Sequence, residues 1–163
     1  MRQKTAYAIA LSIFVIDQIV KWVMIGPLQL ESIRQIYILP IFSFTWVENR
    51  GISLGMLQAS SDAMRWGLVA ATAGIAAGVA WWLTRESQKG DQIGLAMVLG
   101  GALGNIVDRV RFGYVVDFLD LHFGEWRPFY VFNIADAAIS IGVVILLFRA
   151  FFVKSPKEKA DHA

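Results

Sequence analysis

Long apolar runs alternate with short polar stretches along this chain. Four runs, residues 6–25, 64–83, 93–110 and 131–153, are long enough to cross a bilayer as helices, which takes about 20 residues. The polar stretch 84–92 joins the second and third runs as a short loop, and the charged stretch 154–163 reads as a solvated tail. Residues 26–63 are too many for a simple connection. Within them, Phe42-Ser-Phe-Thr-Trp46 alternates bulky apolar with small polar residues, the period of a strand with one apolar face. Pro40 marks an end, and Asn49-Arg-Gly51 reads as a turn. Segments 36–39 and 115–121 also suit extended chain. The pattern predicts an all-α membrane protein, one integral membrane domain over residues 1–163. Four transmembrane helices carry a small β-sheet on the outer surface, its Phe and Trp side chains facing the interface.

Composition supports a membrane protein and removes several chemistries. Of 163 residues, 56% are hydrophobic and the mean hydropathy is +0.54, more apolar surface than a soluble domain of this size needs. There is no cysteine, which excludes disulfides, thiolate zinc sites and cysteine nucleophiles. His122 and His162 are the only imidazoles, too few for a histidine-rich metal site. The net charge of +2 is scattered between apolar blocks, which argues for membrane topology rather than nucleic acid. Four spans put both termini on one side. On that side Arg2, Lys4, Arg85, Lys89, Arg149, Lys154, Lys157 and Lys159 outnumber Glu86, Asp91, Glu158 and Asp161, which predicts cytoplasmic termini. Asp17 and Lys21 interrupt the first apolar run, and Val23-Met-Ile-Gly26 is not a small-x-small cleavage site. That run is therefore expected to stay as a permanent helix.

Polar residues inside apolar spans are expensive and point to function or to mutual pairing. In the first span Asp17 and Lys21 form an i, i+4 pair with the acid first. In the third, Asn105, Asp108 and Arg109 share one helix face. Gly100 and Gly104, like Gly74 and Gly78 in the second, form small-xxx-small pairs that let helices approach closely. In the fourth, Asn133, Asp136, Ala137 and Ser140 are expected on one face. Asp17–Lys21 and Asp108–Arg109 read as paired structural charges. Asp117 and Asp136 have no basic neighbour at i±3 or i±4, and they could meet as a pair sharing one proton. Asp120 competes with Asp117, and Arg111 or Arg127 could neutralise either acid in three dimensions. On residues alone, an aspartic hydrolase, a proton-coupled transporter, a noncatalytic scaffold and a metal hydrolase using Asp108, Asp117, Asp120 and His122 all remain open.

Five motifs in order narrow the choice. Asp17-Gln-Ile-Val-Lys21, Val47-Glu-Asn-Arg-Gly51 with Ser53-Leu-Gly55, Gly104-Asn-Ile-Val-Asp-Arg109, Val116-Asp-Phe118 and Phe132-Asn-Ile-Ala-Asp136 resemble the lipoprotein signal peptidases, or signal peptidase II. The resemblance runs from about residue 10 to residue 145. It implies an intramembrane aspartic endopeptidase of the bacterial inner membrane that needs no metal or cofactor. Such an enzyme cuts prolipoproteins just before a cysteine that already carries diacylglyceryl. Asp117 and Asp136 would be the catalytic pair. Asn49, Asn105, Arg109 and Asn133, with Gly51 beside Asn49, would help bind substrate or the peptide inhibitor globomycin. Asp17, Lys21 and Asp108 would hold the structure. Outer-loop strands and a short helix after Gly51 would form a surface cradle on the periplasmic face, and the enzyme would be a monomer among membrane lipids. The roles of Glu48 and Arg50 stay open, because family members vary beside Asn49 and Gly51.

Overall fold

The computed structural model describes residues 3–51 and 62–152. In chain order the elements are α1 (Gln3–Ile25), α2 (Leu30–Ile33), β1 (Gln35–Leu39), β2 (Phe42–Asn49), α3 (Asp62–Arg85), α4 (Lys89–Phe112), β3 (Val115–Leu121) and α5 (Ile134–Phe152). The helices α1, α3, α4 and α5 are each long and apolar enough to cross a membrane. The short helix α2 was not foreseen. The helix expected after Gly51 and the charged tail lie outside the described residues.

Half of the apolar stretch of α4 is buried inside the protein, against 22% or less in the other three spans, so α4 is the axis of the bundle. Its glycines make this possible. A Cβ on Gly100 would stand 2.5 Å from the Ala10 carbonyl oxygen of α1, and one on Gly94 would stand 2.8 Å from Leu146 of α5. Gly101 lies equally close to the backbone of Ala135. On the third side Ala76 and Leu83 of α3 meet Leu95, Ala96 and Leu99. The expected role of Gly74 and Gly78 is not realised: a Cβ on either would meet nothing within 4 Å. These two glycines sit on an open face of α3, which reaches α4 through Ala76 and Leu83 instead.

The sheet is antiparallel in the order β1-β2-β3. A bulge between Phe44 and Val47 breaks the simple alternation of β2. Consequently Ser43 and Trp46 are both buried, and Trp46 packs with Met24, Leu30, Val116 and Phe118 under the sheet. Trp46 therefore does not face the interface as its alternation predicts. The exposed apolar side chains are Tyr37, Ile38, Leu39 and Ile41 around the β1–β2 turn, and Phe123, Trp126, Phe129 and Tyr130 before α5. The fourth span starts three residues later than its apolar pattern predicts, because Phe132 is held in an extended bridge to Leu119.

A methyl group on Gly100 should force α1 and α4 apart, so Gly100→Ala is expected to cost about 1–3 kcal/mol. Gly74→Ala meets no atom and should be neutral or gain up to about 1 kcal/mol from helix propensity. Thermal unfolding in detergent, followed by tryptophan fluorescence, compares the two directly.

Candidate active site

The site forms where three elements end or begin together. α4 stops at Phe112, and Gly113 reverses the chain in the left-handed region, φ 86°, its N–H bonded to the Arg109 carbonyl at 3.1 Å. Two residues later β3 begins, which brings Asp117 to the end of α4. The Asp108 carboxylate accepts the Val116 N–H at 3.1 Å and pins the start of that strand. α5 begins with a reciprocal cap: the Asn133 side-chain oxygen accepts the Asp136 N–H at 2.8 Å, and the Asp136 carboxylate accepts the Asn133 N–H at 3.3 Å. Asp136 thus sits in the first turn of α5, where the helix dipole favours a negative charge. Asn133 lies just before the helix rather than on the same helical face as Ser140.

Beneath the acids is a buried charge cluster. Lys21 Nζ lies 2.9 Å from Asp17 and 2.7 Å from Asp108, and all three are almost fully buried. Asp108 therefore pairs with a cation from α1, not with its neighbour Arg109. Gln18, inside the Asp17–Lys21 motif but given no role there, donates to Asp108 at 3.0 Å. Asp17 also accepts the Ala135 N–H at 3.0 Å, one of the unpaired donors at the start of α5.

Two amides connect this cluster to the acids. Asn105 Oδ1 accepts from Lys21 at 3.3 Å, and an ammonium can only donate, so the Asn105 nitrogen must face the other way. It donates to Asp136 at 2.7 Å. Asn133 Oδ1 is occupied by a backbone N–H, so its nitrogen likewise points outward, to Asp117 at 2.6 Å and Asn105 Oδ1 at 3.2 Å. Each carboxylate thus receives an amide N–H, and the two amides touch. Asn49 repeats the logic from β2. Its oxygen accepts the Gly51 N–H at 3.0 Å, with Gly51 at φ 94°, and its side chain stands beside Asp117, where it favours the ionised carboxylate. A Cβ on Gly51 would strike Leu68 at 2.6 Å.

Asp117 is 2% exposed, whereas Asp136 is only half-buried. Burial first, and the Asp136 charge second, push the Asp117 carboxyl up to about 7, against the pull of Asn49, Asn133 and Lys21. Arg109 completes the site: its guanidinium interacts electrostatically with Asp136, Asp117 and Asp108. Its buried Nε has no hydrogen-bond partner among the described residues.

The other candidates are turned elsewhere. Asp120 lies three residues along the strand from Asp117, an odd number that reverses the face. It accepts from Thr45 at 2.9 Å and pairs with Arg127 at 3.1 Å. His122 bonds Ser43 at 2.9 Å. Asp108, Asp117, Asp120 and His122 therefore do not converge, and no group of three possible metal ligands occurs among the described residues. Arg111 stacks on Phe112, and Glu48 and Arg50 pair with each other at 2.6 Å beside Tyr114.

Asp117 contributes to stability with a definite sign. Its carboxyl ionises near 3.8 in the unfolded chain but holds its proton to about 7 in the folded one. Between those values the unfolded chain loses a proton that the folded protein keeps, so stability falls as pH rises through that window. Asp117→Asn should remove the fall. Its unfolding midpoint is expected to exceed that of the wild type at pH 8 and to match it more closely at pH 4, as measured by thermal unfolding across pH.

The comparisons agree with this geometry. A family model described as signal peptidase (SPase) II matches residues 9–152. A lipoprotein signal peptidase of Sphingopyxis alaskensis is 56% identical over 148 residues, 91% of this chain and 86% of the relative. One of Rhizorhabdus wittichii is 51% identical over 162 residues, 99% and 94% of the two chains. A solved bacterial membrane enzyme superposes with a TM-score of 0.79 at 26% identity, covering 93% of this chain and 95% of that one. This chain, with its four spans, three-stranded sheet and ordered acid and amide motifs, belongs to the signal peptidase II family.

Proposed function

We propose that Asp117 and Asp136 are the catalytic pair with which this lipoprotein signal peptidase removes signal peptides from prolipoproteins. The observation that carries the assignment is the Asn133–Asn105 amide bridge, which gives each acid one N–H donor and ties both acids into a single network. Two carboxylates so coupled share one proton. The ionised acid takes a proton from water as the water oxygen bonds to the scissile carbonyl carbon. The protonated acid hydrogen-bonds and then protonates the carbonyl oxygen. The resulting diol collapses: one of its hydroxyl protons returns to the acid that protonated the carbonyl oxygen, the C–N bond breaks, and the proton taken from water passes to the leaving amine, which restores the singly protonated pair.

The remaining residues follow from the same arrangement. Arg109 holds a positive charge beside the developing oxyanion, and its free Nε is available to a substrate carbonyl. Asn49, held by the turn at Gly51, flanks Asp117 from the sheet side. Asn105 and Asn133 orient the acids and border the substrate. Lys21, Asp17 and Asp108 are the support. The scissile bond lies before a diacylglyceryl cysteine, whose acyl chains rest between the spans while its peptide backbone lies near the headgroups. Both termini are cytoplasmic and the acids lie near the periplasmic face, consistent with Arg85 and Lys89 at the α3–α4 turn. A monomer holds all of these groups, and globomycin would occupy the same groove.

Asp117→Asn and Asp136→Asn should each abolish cleavage of a diacylglyceryl-modified prolipoprotein, by about 10³-fold or more, while the variants fold and the wild type stays active in EDTA. A gel-shift assay in lipid reads all of this; wild-type turnover in Asp117→Asn would transfer the role to Asp120. The chain has no cysteine, so single cysteines report topology cleanly. Tyr130→Cys, at a position 97% exposed, should react with an impermeant thiol reagent in whole spheroplasts. A cysteine in place of Ser87 should react only after lysis.

A further inference from the structure

Only Gly113 and Tyr114 separate α4 from β3, so whatever fixes the last turn of α4 fixes both Arg109 and the approach to Asp117. The last carbonyls of a helix lack partners within it. Here a neighbouring helix supplies them. Arg65 of α3 donates from Nε to the Arg109 carbonyl at 2.8 Å and from Nη2 to the Val110 carbonyl at 2.6 Å. Its guanidinium lies 5.2 Å over the Trp66 ring, and a Cβ on Gly113 would touch it at 3.7 Å. The cation therefore sits at the negative end of the α4 dipole and grips two adjacent carbonyls with a planar fork. Among the described residues it makes no hydrogen bond or ion pair to Asp117 or Asp136.

We propose that Arg65 is a positioning residue for the peptidase reaction: by clamping the Arg109 and Val110 carbonyls it holds the last turn of α4 so that the Arg109 side chain stays aimed at the aspartate pair. This rests on the reading of Asp117 and Asp136 as catalytic. The charged groups facing that pair are Lys21 from α1 and Asp108 and Arg109 from α4, besides the two acids themselves on β3 and α5. β2 presents the neutral Asn49, because Glu48 and Arg50 are paired with each other. Arg109 is the one of these whose own peptide group Arg65 holds. If Arg109 drifts, the ionised Asp117 carboxylate loses a nearby cation, and it gives up its proton at higher pH.

The test uses the full chain in lipid, with a diacylglyceryl-modified prolipoprotein as substrate and rates normalised to folded enzyme. Arg65→Gln should lower kcat about tenfold or more, raise KM by less than that, and move the acidic limb of the pH profile upward. Arg65→Lys keeps the charge but grips one carbonyl, so it should recover part of both effects. In an Arg109→Gln background, Arg65→Gln should add little to either. A wild-type kcat and pH profile in folded Arg65→Gln, whatever its thermal midpoint, would overturn the proposal, as would effects of the two substitutions that simply multiply. Should Arg65→Gln fail to fold, a wild-type pH profile in Arg65→Lys decides against it equally. Asp117→Asn and Asp136→Asn in the same assay separate the two levels: activity in either removes the catalytic assignment, whereas dead aspartate variants beside an unshifted Arg65 variant remove only the positioning role.

Discussion

The ammonium of Lys21 is the point from which the site hangs. It lies between two buried carboxylates, Asp17 on its own helix and Asp108 on α4. Breaking such a buried pair leaves an uncompensated charge, which costs about 3–5 kcal/mol. One cation does not balance two anions, and the surplus negative charge is met by the N–H groups of Ala135 and Val116 and by the Gln18 amide. Those donors are not arbitrary. Ala135 belongs to the first turn of α5 and Val116 to the start of β3, the two elements that carry Asp136 and Asp117. Through Asn105 the same ammonium also sets the amide that touches Asp136. Charge neutralisation in an apolar interior and placement of Asp117 and Asp136 are thus one structural act.

The amides give this network a direction. A lysine only donates and a backbone N–H only donates, so each asparagine has its oxygen turned inward and its nitrogen turned toward an acid. An aspartate in place of either asparagine would keep the shape and reverse the chemistry, presenting a third negative group to the pair. Burial, with the Asp136 charge second, is why Asp117 holds its proton so strongly. The site keeps two acids together at some cost in stability, and the buried cluster beneath supplies the rigidity to bear it.

Much of this was legible in the sequence because the signals were local. Four apolar runs marked the spans, the alternation in Phe42–Trp46 marked a strand, and Asp17 and Lys21 one turn apart do pair. What escaped depended on contacts between distant segments. Asp108 stands next to Arg109 in sequence, yet its cation comes from α1. The bulge in β2 turned Trp46 inward, and no residue type there signals a bulge. Gly74 and Gly78 have the same spacing as Gly100 and Gly104, and only packing shows which pair lies against a helix. The separation of Asp117 from Asp120 was decided by pairing, since Thr45 and Arg127 claim Asp120. The cap formed by Asn133 and Asp136 was within reach: an asparagine followed three residues later by an acid is a helix-start signature.

The hydrogen bond from Ala135 to Asp17 joins residues 118 positions apart, the first span to the last. During synthesis α1 enters the bilayer long before α5 exists. At that stage Asp17 and Lys21 can neutralise only each other, and their one-turn spacing lets them do so while the helix is alone. Asp136 arrives with the final span, and the α5 start that carries it docks on a carboxylate that has waited since the first. A nascent or half-inserted chain therefore carries no assembled acid pair, and under the catalytic role proposed for that pair proteolytic capacity comes only with the last span in place.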